Sequence, residues 1–230
     1  MVEPFRIHRG DRGPVQQSPV TCGSTSLIVA RMLVDPVCAG WVVEGGPSHD
    51  LPAGYALPGG RNLPSGRERP VADTQDQRLA ALEQVVLTRT NSVRGPGGRL
   101  QLPWPRRLGT PPWGARSELE SGAAEIGARY ELAWCRLGGE ERLRRHHDEL
   151  RQRVRQGRPA ILYVGSTWVP RHVALVLPAA SGGGVDVYDP ATGGVQALPV
   201  DTFVTRRLEL AGWDLPWCLV LPRREPPATS

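Results

Sequence analysis

Three residues of this chain, Cys22, His172 and Asp189, have surroundings that suit nucleophilic catalysis. A thiol attacks efficiently at neutral pH only as the thiolate, a form that a helix N-terminus and a neighbouring imidazolium both favour. Cys22 opens the segment CGSTSLIVARMLVDP, where Leu27, Ile28, Val29, Met32 and Leu33 form an apolar surface too broad for a simple stripe. That pattern predicts a buried helix, stopped at Asp35-Pro36, with the thiol at its start. Gly23 is expected to let a substrate backbone approach, and Ser24, Thr25 and Ser26 keep that end small. The competing reading of Cys22 is a free thiol simply packed in a helix.

His172 begins the most apolar run of the chain, HVALVLP, while His8, His49, His146 and His147 lie in loop-like or highly charged stretches. Asp189 follows 17 residues later, at the end of VDVYDP. If the two runs are antiparallel neighbours joined by a tight turn, the end of one lies beside the start of the other, and carboxylate and imidazole can hydrogen-bond. Asp186, an odd number of positions away, then points to the opposite face. Ahead of the cysteine stand Gln16 and Gln17, either of which could donate to a developing oxyanion alongside the Cys22 N–H.

The elements that must position these groups divide into two textures. Helices are expected over 73–90, capped by Asp73 or Thr74, over about 116–128 with Ala123, Ala124 and Ile126 as its apolar residues, and over 140–156 with Leu143, Leu150 and Val154 as a narrow stripe. Two stretches rich in Gly and Pro, about 38–69 and 91–115, read as loop excursions. From residue 160 onward come the strand-like runs AILYVG, HVALVLP, VDVYDP and GVQALPV, a short helix near 201–208, and WCLVLP. Short glycine-containing links suit an antiparallel meander, and helices followed by antiparallel sheet predict a single α+β domain.

The stretch Gln16-Gln17-Ser18-Pro19-Val20-Thr21-Cys22-Gly23 resembles the Gln-x5-Cys-Gly motif of the double-glycine leader peptidases of bacteriocin exporters, a papain-like cysteine peptidase family. GRPAILYVG, HVALVL, VYDPATGG and LPVDTF follow the order of elements in that family. The resemblance implies a papain-like fold with Cys22 as nucleophile, His172 as general base, Asp189 as its orienter and Gln16 as oxyanion donor, Gln17 being the second choice. Thr21 stands where the family commonly has an acidic residue, and no transporter segments follow, so specificity for a Gly-Gly leader is not implied.

Composition narrows the function classes. Among 230 residues there are 27 glycines and 23 prolines, and the net charge is +5. Every one of the 28 basic residues is arginine, which reads as compositional bias rather than as a nucleic-acid surface. The densest basic run, 140–158, is interleaved with acids as on a solvated helix face. Four scattered cysteines form no metal-ligand pattern, so neither a metal nor another cofactor is expected. With no secretion signal and no apolar run near 18 residues, the chain is read as cytoplasmic, with no membrane or nucleic-acid partner. The expected partner is a peptide or protein substrate, cleaved by a cysteine peptidase or, with the same residues, altered by a glutamine deamidase or transglutaminase. The alternative from another class is a non-catalytic peptide-binding module, suggested by tryptophans in loops.

Overall fold

A computed structural model describes residues 4–45, 55, 74–180 and 182–224. The fold is α+β. Helices α1 (Cys22–Met32), α2 (Pro36–Val43), α3 (Gln75–Asn91) and α4 (Pro112–Glu118) precede or flank strand β1 (Tyr130–Trp134). After α5 (Glu140–Arg153) come β2 (Ala160–Gly165), β3 (Pro170–Pro178), β4 (Val185–Asp189), β5 (Gly194–Ala197), α6 (Val200–Val204) and β6 (Leu215–Pro222). One sheet in the order β1-β6-β2-β3-β4-β5 contains the six strands of the described residues, and every neighbouring pair is antiparallel.

Alternation along these strands builds two cores. Ile161, Tyr163, Val173, Leu175 and Val220 face the first four helices, whereas Leu162, Val164, Ala174, Val176 and Leu219 face α5 and α6. Strands buried on both faces explain the nearly continuous apolar runs AILYV and VALVL. The α5 stripe of Leu143, Leu150 and Val154 lies in the second core, joined by buried His147, whose Nε2 is 3.0 Å from the Leu198 carbonyl.

Several boundaries differ from the sequence reading. Cys38 to Val43, read as loop, belong to α2, because Asp35 caps it through the N–H groups of Val37 and Cys38 and Pro36 occupies the first turn. Most of the remaining excursion to residue 69, with His49, lies outside the described residues. Tyr55 is the exception, fully buried with the Arg31 guanidinium 4.5 Å above its ring. The helix expected at 116–128 starts earlier, at Pro112, passes into a π-type turn over Leu119–Ala123, and stops where Gly122 takes φ +129°. Ile126, expected on its apolar side, is fully exposed. Thr74 caps α3 through a reciprocal capping box with Gln77, so it displaces Asp73 as the cap. The short helix near 201–208 spans only Val200–Val204. Among the described residues no helix is long and apolar enough to cross a membrane.

Candidate active site

The pairing of β3 with β4 sets the geometry of the acid and the imidazole. Leu175 lies opposite Tyr188, so Ala174 and Asp189 are adjacent across the ladder, and His172, two residues before Ala174, shares their face. His172 Nε2 is 2.7 Å from Asp189 Oδ1. Since a carboxylate only accepts, this contact fixes the proton on Nε2 and leaves Nδ1 open, and the Cys22 side chain is near enough to the ring to favour its charged form. Asp186 points elsewhere, to Arg9 Nη2 at 2.6 Å.

Asp189 is itself held by the N–H of Ala191, at 2.9 Å, and by the N–H of Ala211. Ala211 belongs to the α6–β6 connection, where Arg206, Glu209 and Ala211 all adopt positive φ without being glycine. A backbone forced into that region marks a loop whose surroundings over-determine its path. Burial would raise the Asp189 carboxyl, but the His172 ring and these N–H groups outweigh it and hold it below the usual range. Burial likewise lowers His172, and the Asp189 carboxylate and the nearby Cys22 side chain reverse that, holding the imidazolium up to about 9.

Cys22 is the first residue of α1, and only 5% of its surface is exposed. The preceding residue, Thr21, provides no side-chain cap to the helix, because its Oγ1 donates to the Ser18 carbonyl at 2.9 Å. The first N–H groups of α1 are thereby left without the usual acceptor, beside the thiol.

The two glutamines part company. Gln16 is partly buried, its backbone N–H bound to the Pro190 carbonyl at 2.8 Å just after Asp189, and its Nε2 donates to Ser18 O at 2.9 Å. An amide nitrogen has two hydrogens, so one remains for a ligand. Gln17 is exposed, and its Nε2 is turned back onto the Val15 carbonyl at 2.7 Å. Gln16 is thus the better placed donor.

The surroundings of Gly23 overturn one expectation. Its missing side chain makes room for Thr110, since a Cβ there would lie 2.7 Å from Thr110 Cβ and 2.8 Å from Oγ1. The 91–115 excursion therefore seats itself on the helix start in the space expected for substrate. Thr110 is fully buried, its carbonyl accepts from Tyr163 Oη at 3.0 Å, and Gly109 abuts the Val20 carbonyl. Of the loop tryptophans, Trp104 and Trp113 pack edge to face at 5.2 Å, whereas Trp168, on the β2–β3 turn just before His172, is 82% exposed.

Glu83 of α3 was not singled out from the sequence, although it shares the buried stripe with Leu79 and Val86 at helical spacing. The carboxylate accepts from the Gln17 N–H, at 3.0 and 3.2 Å, and from Thr25 Oγ1 at 2.6 Å. Ala211, which contributes only an N–H, left no such mark. The other three cysteines are buried free thiols; burial pushes Cys38 and Cys135 up to about 12 and Cys218 higher still. No family model matches this chain, and no curated protein matches it.

Proposed function

We propose that this chain is a cysteine hydrolase of papain-like fold that cleaves a peptide or isopeptide amide through an acyl-enzyme. The 2.7 Å bond from His172 Nε2 to Asp189, with Cys22 at the start of α1 beside the same ring, is the observation that carries this reading. The resemblance of Gln16 to Gly23 to the leader-peptidase motif supports it.

The chemistry follows from the proton positions. In the reaction Cys22 gives its proton to Nδ1, the ring nitrogen that Asp189 leaves open, and attacks as the thiolate. Sγ attacks the carbonyl carbon, and the resulting oxyanion is met by the free N–H groups at the start of α1 and by the second amide hydrogen of Gln16. Nδ1 gives its proton to the leaving nitrogen as the C–N bond breaks, producing a thioester. Water, deprotonated by the now neutral Nδ1, releases the acid and restores the thiolate–imidazolium pair. Asp189 keeps the ring oriented throughout.

Iodoacetamide labelling at pH 7 followed by peptide mass spectrometry tests the nucleophile. Cys22 is expected to react selectively, since burial keeps the other three thiols protonated, and Cys22→Ala is expected to abolish ester and amide turnover. Indiscriminate labelling, or turnover that survives in Cys22→Ala, overturns the proposal. Ammonia release from glutamine peptides without chain cleavage would instead assign the same site to deamidation.

A further inference from the structure

We infer that Glu83 is a positioning residue for the oxyanion hole, holding the Gln16 segment at a fixed distance from the helix that bears Cys22; this inference rests on the hydrolase reading above. Gln16 is bracketed by two backbone anchors. Its own N–H goes to Pro190 O, at the turn after Asp189, and the next N–H along the chain, that of Gln17, goes to both carboxylate oxygens of Glu83. The same carboxylate receives Thr25 Oγ1, one helical turn after Cys22. Glu83 thereby joins the Gln16–Gln17 segment directly to the nucleophile's helix, and α3 becomes the jig against which both are set.

The choice of residue points the same way. Glu83 is fully buried, and the groups that bond it are uncharged: the Gln17 N–H and the hydroxyl of Thr25. A carboxylate without a cation is expensive to bury, and the packing of α1 on α3 requires only an apolar side chain at that position. What a carboxylate adds is two acceptors on one rigid fork, able to hold a backbone N–H and a hydroxyl together.

Two reactions of Cys22 separate positioning from simple support of the fold. Alkylation by iodoacetamide displaces iodide at a saturated carbon and develops no oxyanion. Acylation by p-nitrophenyl acetate forms the S–C bond through a tetrahedral oxyanion, then breaks the aryl C–O bond and releases p-nitrophenolate. Both are measured on the full chain, with Cys22→Ala as the blank. Glu83→Ala is expected to slow acylation by roughly 10- to 100-fold, the scale for a displaced oxyanion donor, while alkylation stays within about threefold. Glu83→Gln, which keeps an acceptor for the Gln17 N–H, is expected to restore acylation to within about threefold of wild type. If Glu83→Ala does not fold, Thr25→Val, which deletes only the hydroxyl tie, is expected to lower acylation at least about threefold with alkylation unchanged. Equal slowing of both reactions, or of neither, overturns the role given to Glu83. A wild-type Cys22 that is neither selectively alkylated nor acylated removes the hydrolase reading itself.

Discussion

His172 is pulled in opposite directions, and the balance decides when the site can work. Burial favours the neutral ring, whereas the Asp189 carboxylate and the Cys22 side chain favour the imidazolium, which persists to about pH 9. The proton so retained is the one that must reach the leaving amine, so amide cleavage is expected to fall as pH rises through about 9. Alkylation of the thiolate needs no acid and is expected to continue above that pH. In Asp189→Asn the charge that raises the imidazolium is gone and the burial remains. The alkaline limb is therefore expected to move down by about one pH unit or more, with turnover reduced at least roughly tenfold. Parallel pH profiles of cleavage and alkylation check this, and an unmoved limb would assign it to another group. At this scale the sequence was informative wherever chemistry left a mark of type and spacing: Cys22 before a broad apolar run, His172 and Asp189 at strand ends of matching parity. It could not reveal the Ala211 N–H, since any residue but proline supplies one, nor the fit of Gly23 against Thr110, since that contact joins positions 87 residues apart.

Helix and strand limits followed the sequence most closely where burial on both faces wrote the pattern, as in β2, whose observed limits are those of AILYVG. They followed it least where distant partners decide. The YELAW segment, given no element from the sequence, is a strand because β6 pairs with it from Tyr130↔Pro222 to Trp134↔Cys218. Prolines 111 and 112 suggested loop, yet proline is well suited to a helix's first turn, so α4 begins there. The same distant contacts make the 91–115 excursion part of the site. If Thr110 seats against Gly23 as a packed unit, Gly23→Ala forces the excursion off the helix start and is expected to cost about 1–3 kcal/mol. Thr110→Gly removes the opposing Cβ at its own modest cost. The double variant is then expected to be more stable than the sum of the two by about 1 kcal/mol or more. Urea midpoints of the four proteins test this, and strict additivity would mean that the two positions do not press on one another.

Across the whole molecule, a single buried carboxylate gathers the pieces that the sheet alone does not hold. Glu120, in the turn after α4, accepts from the Tyr130 N–H at 2.8 Å, where edge strand β1 begins, and from Arg116 at 3.3 Å. It also pairs with Arg99 of the 91–115 excursion and lies 3.8 Å from Arg129. Burial would raise this carboxyl, but the Tyr130 N–H and the two bonded arginines override it, so its proton affinity is lower folded than unfolded. The linkage has one sign: the carboxylate stabilises the fold above the ordinary glutamate range, near 4.5, and that contribution is lost as pH falls through the lowered native value. Glu120→Gln leaves the partly exposed arginines facing a neutral amide and is expected to destabilise the chain by about 1–2 kcal/mol at neutral pH. The gap from wild type should narrow as both proteins are taken below the ordinary glutamate range toward the lowered native value, where the wild-type carboxyl also loses its charge. Denaturation midpoints at pH 7 and pH 3.5 measure it, and a gap unchanged with pH would show that Glu120 acts by shape rather than by charge. Because the same carboxylate binds the excursion that carries Thr110, its loss should also loosen the covering of the α1 start and speed Cys22 alkylation.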